Sequence, residues 1–456
     1  MQDSSKRGVS MQASNSFRKI LVANRGAIAR RVIRACNELG VASVAVYSEA
    51  DAAAPYLSEA SEAWPLPGET ALDTYLNQDA LLEAARRANV DAIHPGYGFL
   101  AEHEGFARRV IESGLTFIGP APDLIATLGD KVRARELMVE HGFPVFPGSG
   151  LITSLEAARV VAAELGYPLL VKPSGGGGGM GMEIVMDPQD LEAAVTRARV
   201  VAGGAFANSA VYLERYVTSA RHIEYQLLGD ADRVVHAFER ECSVQRRNQK
   251  LIEESPAPGI DAHRLGDIAA TAARVAQAIG YTNVGTVETL MNANGEVGFL
   301  EVNTRIQVEH GVTEAVTGLD LVQMQIQLAQ GGSVPHEIHR SGYAMEARIY
   351  AEHPVTMLPS TGRLTAFEVP GMYGVRVETG YARGQTVTPF YDPMLAKVIA
   401  TGSTREMAIG RLAVALRAFD IQGVDTNRDL LHKVLMNEDF LDARLDTGLL
   451  SRIMDG

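Results

Sequence analysis

The sequence predicts a mixed α/β chain built from about three domains. Its 456 residues exceed the size of one domain, since a domain holds roughly 150 residues. Up to about residue 144, short apolar runs alternate with segments whose apolar residues recur at helical spacing. This alternation is typical of a parallel sheet with helices on both faces. From about residue 145 the pattern changes to a small α/β unit, and beyond that unit predicted strands dominate.

The first unit opens with a strand over 19–24 and a helix over 27–39, which Gly40 ends. A further helix is predicted over 123–141, closed by Gly142 and Pro144. The remaining strands of this unit are predicted at 41–47, 91–94 and 116–119.

The second unit, of about 70 residues, has the predicted helices and strands of a small α/β lid. The third unit is rich in predicted strands. In the lid, helices are predicted at 155–165 and 188–201, and strands at 167–172, 183–186 and 211–217. In the third unit, strands are predicted at 222–228, 233–239, 284–291, 297–303, 343–350 and 363–369, and helices at 262–279 and 404–419. The predicted limits are therefore a disordered tail at 1–16 and units at 17–144, 145–217 and 218–456.

The charge balance and the cysteine content exclude several classes of protein. The chain has 42 Lys and Arg against 55 Asp and Glu, a net charge of −13, which argues against a nucleic-acid partner. No stretch approaches the ~20 apolar residues of a membrane-spanning helix, and the polar segment 1–16 does not resemble a secretory signal. The only cysteines, Cys36 and Cys242, lack the spacing of metal ligands. A reduced compartment, the cytoplasm, is the expected location.

A glycine-rich loop follows Lys172 and ends at Met182. Its glycines match the dinucleotide fingerprint formally, but that motif requires a helix after the loop, whereas a strand is predicted here. A P-loop would place Lys after the glycines instead of before them. We therefore expect a strand–loop–strand flap whose backbone N–H groups can approach phosphates. The alternative is a flexible surface hairpin.

Two carboxylates face each other in a predicted hairpin. Asn294-Gly295 indicates a two-residue turn, which places Glu288 opposite Glu301 and Met291 opposite Gly298. Carboxylates in such a cross-strand pair repel each other unless something compensates. A divalent cation such as Mg²⁺, shared with substrate phosphates, would compensate. The alternative is a solvated pair on an exposed face.

Polar residues alternate with apolar ones after this hairpin. If the extended conformation persists, Glu301, Asn303, Arg305, Gln307 and Glu309 share one face of a strand. This series favours the floor of a site, in which Glu309 is a base and the guanidinium of Arg305 binds an oxyanion.

A basic cluster over 245–250 is the other candidate for anion binding. In extended geometry its odd-numbered and even-numbered residues would face opposite sides. The functional interpretation is a subsite for phosphate or bicarbonate, and the alternative is a solvated charge run paired with the acids that follow it.

Together these features resemble one family. The glycine flap and the paired carboxylates resemble the ATP-grasp fold, and several longer motifs resemble the biotin carboxylase component of biotin-dependent carboxylases. The resemblance covers about 17 to 450. The motifs are ILVANRG at 20–26, HPGYGFL at 94–100, GDKV at 129–132, the glycine run at 172–182, CSVQRRNQKLIEESPAPG at 242–259 and EVNTRIQVEH at 301–310. The implied fold is ATP-grasp, with an N-terminal Rossmann-like domain, a small lid and a C-terminal α+β domain.

The resemblance implies a role for each matching residue. ATP would be bound by Lys131, Lys172, Gly176, Gly177, Gly178, Gly179, Met182, Glu214, Arg215, Val217, His222, Gln245, Asn248, Glu288 and Glu301. Mg²⁺ or Mn²⁺ would be bound by Glu288, Glu301 and Asn303, and bicarbonate by Lys250, Arg305, Gln307 and Val308. Biotin would be bound by Tyr97, Arg348 and Asp392, with Asp392 orienting Arg348, and the catalytic groups would be Glu309, Arg305, Lys250 and Arg348.

The implied reaction is the carboxylation of biotin. Glu309 would deprotonate bicarbonate, which attacks the γ-phosphoryl group of ATP to form carboxyphosphate. Breakdown to CO₂ and phosphate would follow, phosphate would deprotonate biotin, and Arg305 would stabilise the enolate.

The chain departs from the family pattern at four positions. The family commonly has Arg or Lys at Met180, Glu at Ala27, His at Asn248 and Pro at Gly311. Asn248 and Gly311 are more similar to urea-carboxylase-type members, so the final acceptor, whether an acyl-CoA or urea, stays open.

The expected partners follow from the resemblance. The Met-Lys-Met acceptor of a biotinyl domain does not occur here. Biotin is therefore expected on a carrier protein or biotinyl domain in trans, or on the rest of a longer chain, with a carboxyltransferase subunit as a further partner. A homodimer is expected, with Arg31 and Arg34 at the interface.

The sequence allows other interpretations of the individual residues and of the function of the chain. Lys131 could be a helix-surface residue, Glu214 and His222 polar positions on half-exposed strands, Arg348–Asp392 a structural ion pair, and Tyr97 turn packing. The alternative functions are another ATP-grasp carboxylate ligase and a catalytically silent nucleotide-binding subunit.

Overall fold

The computed structural model describes residues 16–175, 181–206 and 209–455. The predicted tail, apart from Ser16, and the predicted flap residues Gly176, Gly177, Gly178, Gly179 and Met180 lie outside these ranges. None of the helices in the described ranges combines the length and the apolarity that a bilayer crossing requires.

The N-terminal unit contains a five-stranded parallel sheet in the order β3-β2-β1-β4-β5. This confirms the predicted α/β alternation. Its elements are β1 (Lys19–Val22), α1 (Gly26–Glu38), β2 (Ala42–Tyr47), α2 (Tyr56–Glu59), β3 (Glu62–Pro65), α3 (Gln78–Ala88), β4 (Ala92–His94), α4 (Glu104–Glu112), β5 (Thr116–Phe117), α5 (Pro122–Gly129) and α6 (Lys131–Glu140).

The helix predicted over 123–141 is two helices. Asp130 between them has extended backbone angles, φ −85° and ψ 109°, and its side chain accepts hydrogen bonds from the amides of Val132 and Arg133. Because such an N-cap begins a new helix, Lys131 becomes the first residue of α6 and lines the cavity described below.

The middle unit is a three-stranded antiparallel sheet in the order β7-β6-β8, covered by two helices. It has its own apolar core, which includes Leu169, Val171 and Leu213. Its elements are α7 (Leu155–Leu165), β6 (Leu169–Pro173), β7 (Glu183–Val185), α8 (Leu191–Phe206) and β8 (Val211–Arg215).

The C-terminal unit is organised around an eight-stranded antiparallel sheet in the order β13-β12-β9-β10-β11-β14-β19-β17. In chain order up to residue 329, its elements are β9 (Arg221–Gly229), β10 (Val234–Arg246), β11 (Gln249–Ser255), α9 (Ala262–Ala278), β12 (Asn283–Met291), β13 (Val297–Asn303), α10 (His310–Thr317) and α11 (Leu321–Ala329). They are followed by β14 (Tyr343–Tyr350), β15 (Gly362–Arg363), β16 (Ala366–Glu368), β17 (Val375–Thr379), β18 (Thr386–Val387), β19 (Met394–Gly402), α12 (Arg405–Ala418), β20 (Asp420–Gln422), α13 (Arg428–Leu435), α14 (Glu438–Leu441) and α15 (Leu449–Asp455).

The N-terminal unit packs directly on this large sheet. Ile28 and Val32 of α1 share a buried cluster with Leu228 of β9, Val284 of β12 and Leu321 of α11. Burial of this apolar surface fixes the two units against each other. The predicted limits at 144/145 and 217/218 fall in connections between these elements and stay a prediction.

Candidate active site

One cavity of about 700 Å³ collects the predicted residues of all three units. Every predicted site residue within the described ranges lines it, from Tyr97 in the N-terminal unit to Asp392 in the C-terminal unit. The flap glycines lie outside the described ranges. The structure therefore brings these side chains together, while their roles stay a prediction.

The carboxylate hairpin is formed by β12 and β13, and Glu288 does face Glu301. The predicted turn is nevertheless wrong, because Met291 pairs with Val297 and not with Gly298. The connection between the two strands has five residues, 292–296, and Gly295 within it has φ +79°, a left-handed position that glycine adopts without a steric cost. A bulge at Leu300 then shifts the register by one residue and restores the Glu288–Glu301 pair.

Glu288 is held by four side chains. Its Oε1 accepts hydrogen bonds from Lys250 Nζ at 2.9 Å, Asn303 Nδ2 at 2.9 Å and Gln307 Nε2 at 2.6 Å. Its Oε2 lies 2.8 Å from His222 Nε2. Burial raises the pKa of Glu288, but Lys250 and His222 outweigh burial and hold that pKa below its usual value. Glu288 is therefore ionised at neutral pH.

The polar series does not continue as one strand. β13 ends at Asn303, and Glu309 precedes α10 with φ −80° and ψ 8°. The prediction of a single extended face over 301–309 is wrong for that reason, although all five polar residues still line the cavity. Arg305 donates hydrogen bonds to Glu102 Oε2 at 2.8 Å and to Asn303 Oδ1 at 2.7 Å.

The basic cluster is a tight hairpin and not an extended run. Arg247 and Asn248 form a two-residue turn between β10 and β11, with φ of 50° and 65°. Both residues therefore adopt the left-handed conformation that such a turn requires and that Asn tolerates. Gln245 pairs with Lys250 across the hairpin, whereas Arg246 binds Glu352 with two hydrogen bonds of 2.6 Å.

A cluster of opposite charges surrounds Glu309. Lys250 Nζ donates to Glu309 Oε1 at 2.6 Å, and Arg348 Nη2 donates to Glu309 Oε2 at 2.8 Å. Lys250 also binds Glu224. Burial raises the pKa of Glu309, but Lys250 and Arg348 outweigh burial and hold it well below its usual value. The carboxylate is therefore ionised at neutral pH.

Arg348 is oriented differently from the prediction. Among the described carboxylates, its guanidinium contacts Glu253 at 2.6 Å and Glu309 at 2.8 Å. Asp392 lines the same cavity but accepts a hydrogen bond from the amide of Met394 at 2.9 Å. The predicted Arg348–Asp392 pair is thus replaced by Arg348–Glu253, because β14 and β11 are neighbouring strands.

Two lysines from the first two units also line the cavity. Lys172 Nζ donates to Glu214 Oε2 at 2.7 Å, and Arg135 contacts the other oxygen of Glu214 at 3.3 Å. Lys131 Nζ donates to Glu301 Oε2 at 3.2 Å. Glu214 and His222 are both buried, so they are not polar positions on half-exposed strands.

Several residues that contact the side chains of the site were not predicted from the sequence. Arg240 donates to Glu224, Gln226, Thr286, Thr313 and Gln307. Glu102 accepts a hydrogen bond from Arg305, Arg135 donates one to Glu214, and Glu253 forms an ion pair with Arg348. One signal was available, because His222, Glu224 and Gln226 alternate with apolar residues along β9. A polar face inside a central strand indicates a buried site.

Comparison with known families matches nearly the whole chain. The model for the biotin carboxylase N-terminal domain matches residues 16–125, and that for the biotin carboxylase C-terminal domain matches residues 346–452. The model for the ATP-binding domain of the carbamoyl-phosphate synthase L chain matches residues 130–337.

Individual proteins show the same relationship. Biotin carboxylase 2 of Bacillus subtilis is 46% identical over 441 residues, which cover 96% of this chain and 99% of that protein. The 2-oxoglutarate carboxylase small subunit of Hydrogenobacter thermophilus is 43% identical, covering 95% of this chain and 93% of that protein.

Solved structures of relatives superpose closely. A biotin carboxylase complex with β,γ-ATP from Campylobacter jejuni has a TM-score of 0.94 at 40% identity, covering 96% of this chain and 99% of that one. The biotin carboxylase domain dimer of the Hydrogenobacter thermophilus 2-oxoglutarate carboxylase, solved with MgADP, ADP and bicarbonate, has a TM-score of 0.93 at 42% identity, covering 96% and 98%. The chain therefore belongs to the biotin carboxylase family and is an ATP-dependent enzyme with the ATP-grasp fold.

Proposed function

We propose that this cavity performs the whole first half-reaction of a biotin-dependent carboxylase, with the nucleotide at the Lys172 end and biotin at the Arg348 end. The observation that carries the proposal is the Lys250–Glu309–Arg348 cluster, which shares one cavity with the Glu288–Glu301 pair. A base, an anion site and a metal site then all line one cavity.

The nucleotide end is proposed as follows. Lys131 and Lys172 bind the phosphates, residues 214–217 border the adenine, and His222, Gln245 and Asn248 lie near the nucleotide. The residues fit a divalent cation, because Glu288, Glu301 and Asn303 offer the oxygen donors that Mg²⁺ or Mn²⁺ prefers. The bound cation supplies neutralisation of phosphate charge.

Bicarbonate is proposed to bind between Lys250, Arg305, Gln307 and Val308. Lys250 lowers the pKa of Glu309, and it lowers the pKa of a bound bicarbonate for the same electrostatic reason. The proton can then pass from bicarbonate to Glu309, and a bicarbonate oxygen forms a bond to the γ-phosphorus as the bond to ADP breaks. The product is carboxyphosphate, which retains the bicarbonate oxygen between carbon and phosphorus.

Carboxyphosphate then breaks at its C–O bond and gives CO₂ and phosphate. The released phosphate takes the ureido proton of biotin, and the biotin nitrogen attacks CO₂. Arg305 and Arg348 stabilise the charge that develops on the ureido oxygen, with Tyr97 and Asp392 bordering the biotin. The final acceptor depends on the carboxyltransferase partner.

An isotope experiment tests this sequence of steps. With bicarbonate labelled by ¹⁸O, each released phosphate should carry one labelled oxygen, because the C–O bond and not the P–O bond breaks in the second step. Phosphate without label would contradict the carboxyphosphate route. Another ATP-grasp carboxylate ligase would form ADP without any requirement for bicarbonate.

The proposed reaction requires partner proteins. A biotin carrier protein or biotinyl domain delivers biotin in trans, and a carboxyltransferase takes the carboxyl group.

We also expect a homodimer, as in the domain dimer of the Hydrogenobacter relative. Arg31 is excluded from such an interface, because it is 2% exposed and pairs with Glu314 and Asp320, whereas Arg34 is partly exposed on the same helix. Light scattering of the purified protein tests the dimer, and cell fractionation tests the expected cytoplasmic location.

A further inference from the structure

The segment between β13 and α10 carries its backbone outside the sheet. Gln307, Val308 and Glu309 therefore have no neighbouring strand to bind their carbonyl groups. Backbone amides of α10 bind two of these carbonyls, His310 N–H to Gln307 at 3.4 Å and Val312 N–H to Glu309 at 3.3 Å, and two buried side chains also bind the carbonyls of Gln307 and Val308. His310 Nδ1 lies 2.7 Å from the carbonyl oxygen of Gln307, and Lys397 Nζ donates to the carbonyl oxygen of Val308.

The protonation state of His310 follows from its surroundings. His310 is 1% exposed, and burial together with nearby Lys397 holds its pKa well below the usual value, so the ring is neutral. A carbonyl oxygen can only accept a hydrogen bond. Nδ1 must therefore carry the ring proton and donate it to Gln307.

The Lys397 ammonium is also buried and bound by neighbouring carboxylates. Lys397 is 1% exposed on β19, and its ammonium lies 3.0 Å from Glu378 Oε2 and 3.5 Å from Glu346 Oε2. These carboxylates neutralise the buried charge, and strand pairing places Glu378 directly opposite Lys397. The ammonium therefore has a fixed position under the Val308 carbonyl.

Because a peptide group is planar, the contacts that fix the orientation of the Gln307 and Val308 carbonyls also fix the orientation of the Val308 and Glu309 amides. Both peptide bonds are trans, so each N–H points away from its own carbonyl oxygen. The N–H groups of Val308 and Glu309 thus face away from the side chains of His310 and Lys397, and both Val308 and Glu309 line the cavity. Within the described residues, neither amide donates a hydrogen bond.

We propose that His310 and Lys397 are positioning residues, which orient the Val308 and Glu309 amides towards the oxygens of bound bicarbonate. The proposal rests on the bicarbonate site proposed above. It makes the strength of anion binding depend on two side chains that do not touch the substrate. Preorganised amide donors of this kind stabilise an oxyanion without reorganisation during the reaction.

The test compares His310→Leu with His310→Asn, since the asparagine amide can still donate to the Gln307 carbonyl. We expect the KM for bicarbonate to rise about tenfold in His310→Leu and to stay within about twofold in His310→Asn, as for the loss or retention of aligned hydrogen bonds. The KM for ATP should change in neither variant. A purely structural role would change both KM values together, or would leave His310→Asn as impaired as His310→Leu, and either result overturns the proposal.

A second pair of variants keeps the proposal testable if His310→Leu does not fold. Lys397→Met combined with Glu346→Gln removes the ammonium together with the carboxyl group that lies 3.5 Å from it, and Glu346→Gln alone is the control. The double variant should raise the KM for bicarbonate, and the control should not. If the wild-type enzyme shows no bicarbonate-dependent ADP formation, the proposed function itself is wrong. If the wild type is active but the variants have an unchanged KM for bicarbonate, only the positioning role is wrong.

Discussion

Lys250 and Glu309 form a buried hydrogen-bonded ion pair of 2.6 Å, although 59 positions separate them in the sequence. Lys250 lies on β11 next to the tight hairpin, and Glu309 directly precedes α10. The same ammonium contacts Glu288 at 2.9 Å. One side chain thus connects the proposed base to the proposed metal site.

Replacement of Glu309 by glutamine should separate nucleotide binding from chemistry. The amide keeps the shape of the side chain but cannot accept the proton from bicarbonate. We expect ATP affinity, measured by calorimetry, to stay within about twofold, and biotin carboxylation to fall by about 100-fold or more, the usual contribution of a general base. Full activity of Glu309→Gln would remove Glu309 as the base.

Replacement of Glu288 by glutamine should weaken the metal site. We expect the Mg²⁺ concentration for half-maximal ADP formation to rise about tenfold or more, as is usual when a metal site is perturbed. Glu296→Gln is the matched control, because Glu296 is exposed on the loop of the same hairpin. Equal Mg²⁺ requirements in the two variants would exclude Glu288 as a ligand.

Arg240 should be important for stability as well as for the site. Its side chain is fully buried and binds Glu224, Gln226, Thr286, Thr313 and Gln307. Arg240→Met leaves these groups without their common donor, and should lower the free energy of unfolding by about 3–5 kcal/mol. Arg159→Met, at an exposed ion pair, should change it by less than about 0.5 kcal/mol. Urea denaturation followed by circular dichroism provides the comparison, and similar losses in both variants would contradict the importance of this network.

Glu346 should make stability decrease as pH rises. Burial raises the pKa of Glu346 from 4.5 to about 7, although Lys397 and Arg348 oppose this effect. Between these two values Glu346 binds more protons in the folded state than in the unfolded state, so its contribution to the free energy of unfolding falls as pH increases and is lost above about 7.

Glu346→Gln should remove most of this decrease, which is on the order of 2 kcal/mol. Melting temperatures measured from pH 5 to 8.5 give the comparison, with Glu337→Gln, an exposed residue, as the control. If the wild type and Glu346→Gln have parallel profiles, Glu346 does not titrate in this range.

Local patterns predicted most of the fold. The strand–helix alternation of the first unit and the strands of the lid depend on short-range periodicity, and the structure confirms them. The helix over 123–141 is different, because its apolar spacing continues through Asp130. Only the capping hydrogen bonds from Val132 and Arg133 divide it.

The carboxylate pair was predicted for a partly mistaken reason. Asn294-Gly295 correctly indicated a hairpin, but a longer turn and the bulge at Leu300 compensate each other in register. A bulge depends on how a strand meets its neighbours in the sheet, and that information is not local.

The site could be assembled from the sequence only through family resemblance. No spacing rule connects Lys250 with Glu309, or Arg348 with Glu253, since these contacts arise from the order of strands in the large sheet. Arg240 lies in a run of β10 that gave no separate signal, and its five partners come from four other segments. Long-range polar networks are therefore the part that the sequence alone did not predict.

The most direct test is carboxylation of free biotin by the isolated protein with MgATP and bicarbonate. We predict that ADP formation requires bicarbonate, that biotin stimulates ADP formation, and that carboxybiotin accumulates in step with ADP. If the rate of ADP formation does not depend on bicarbonate, the proposed half-reaction is wrong.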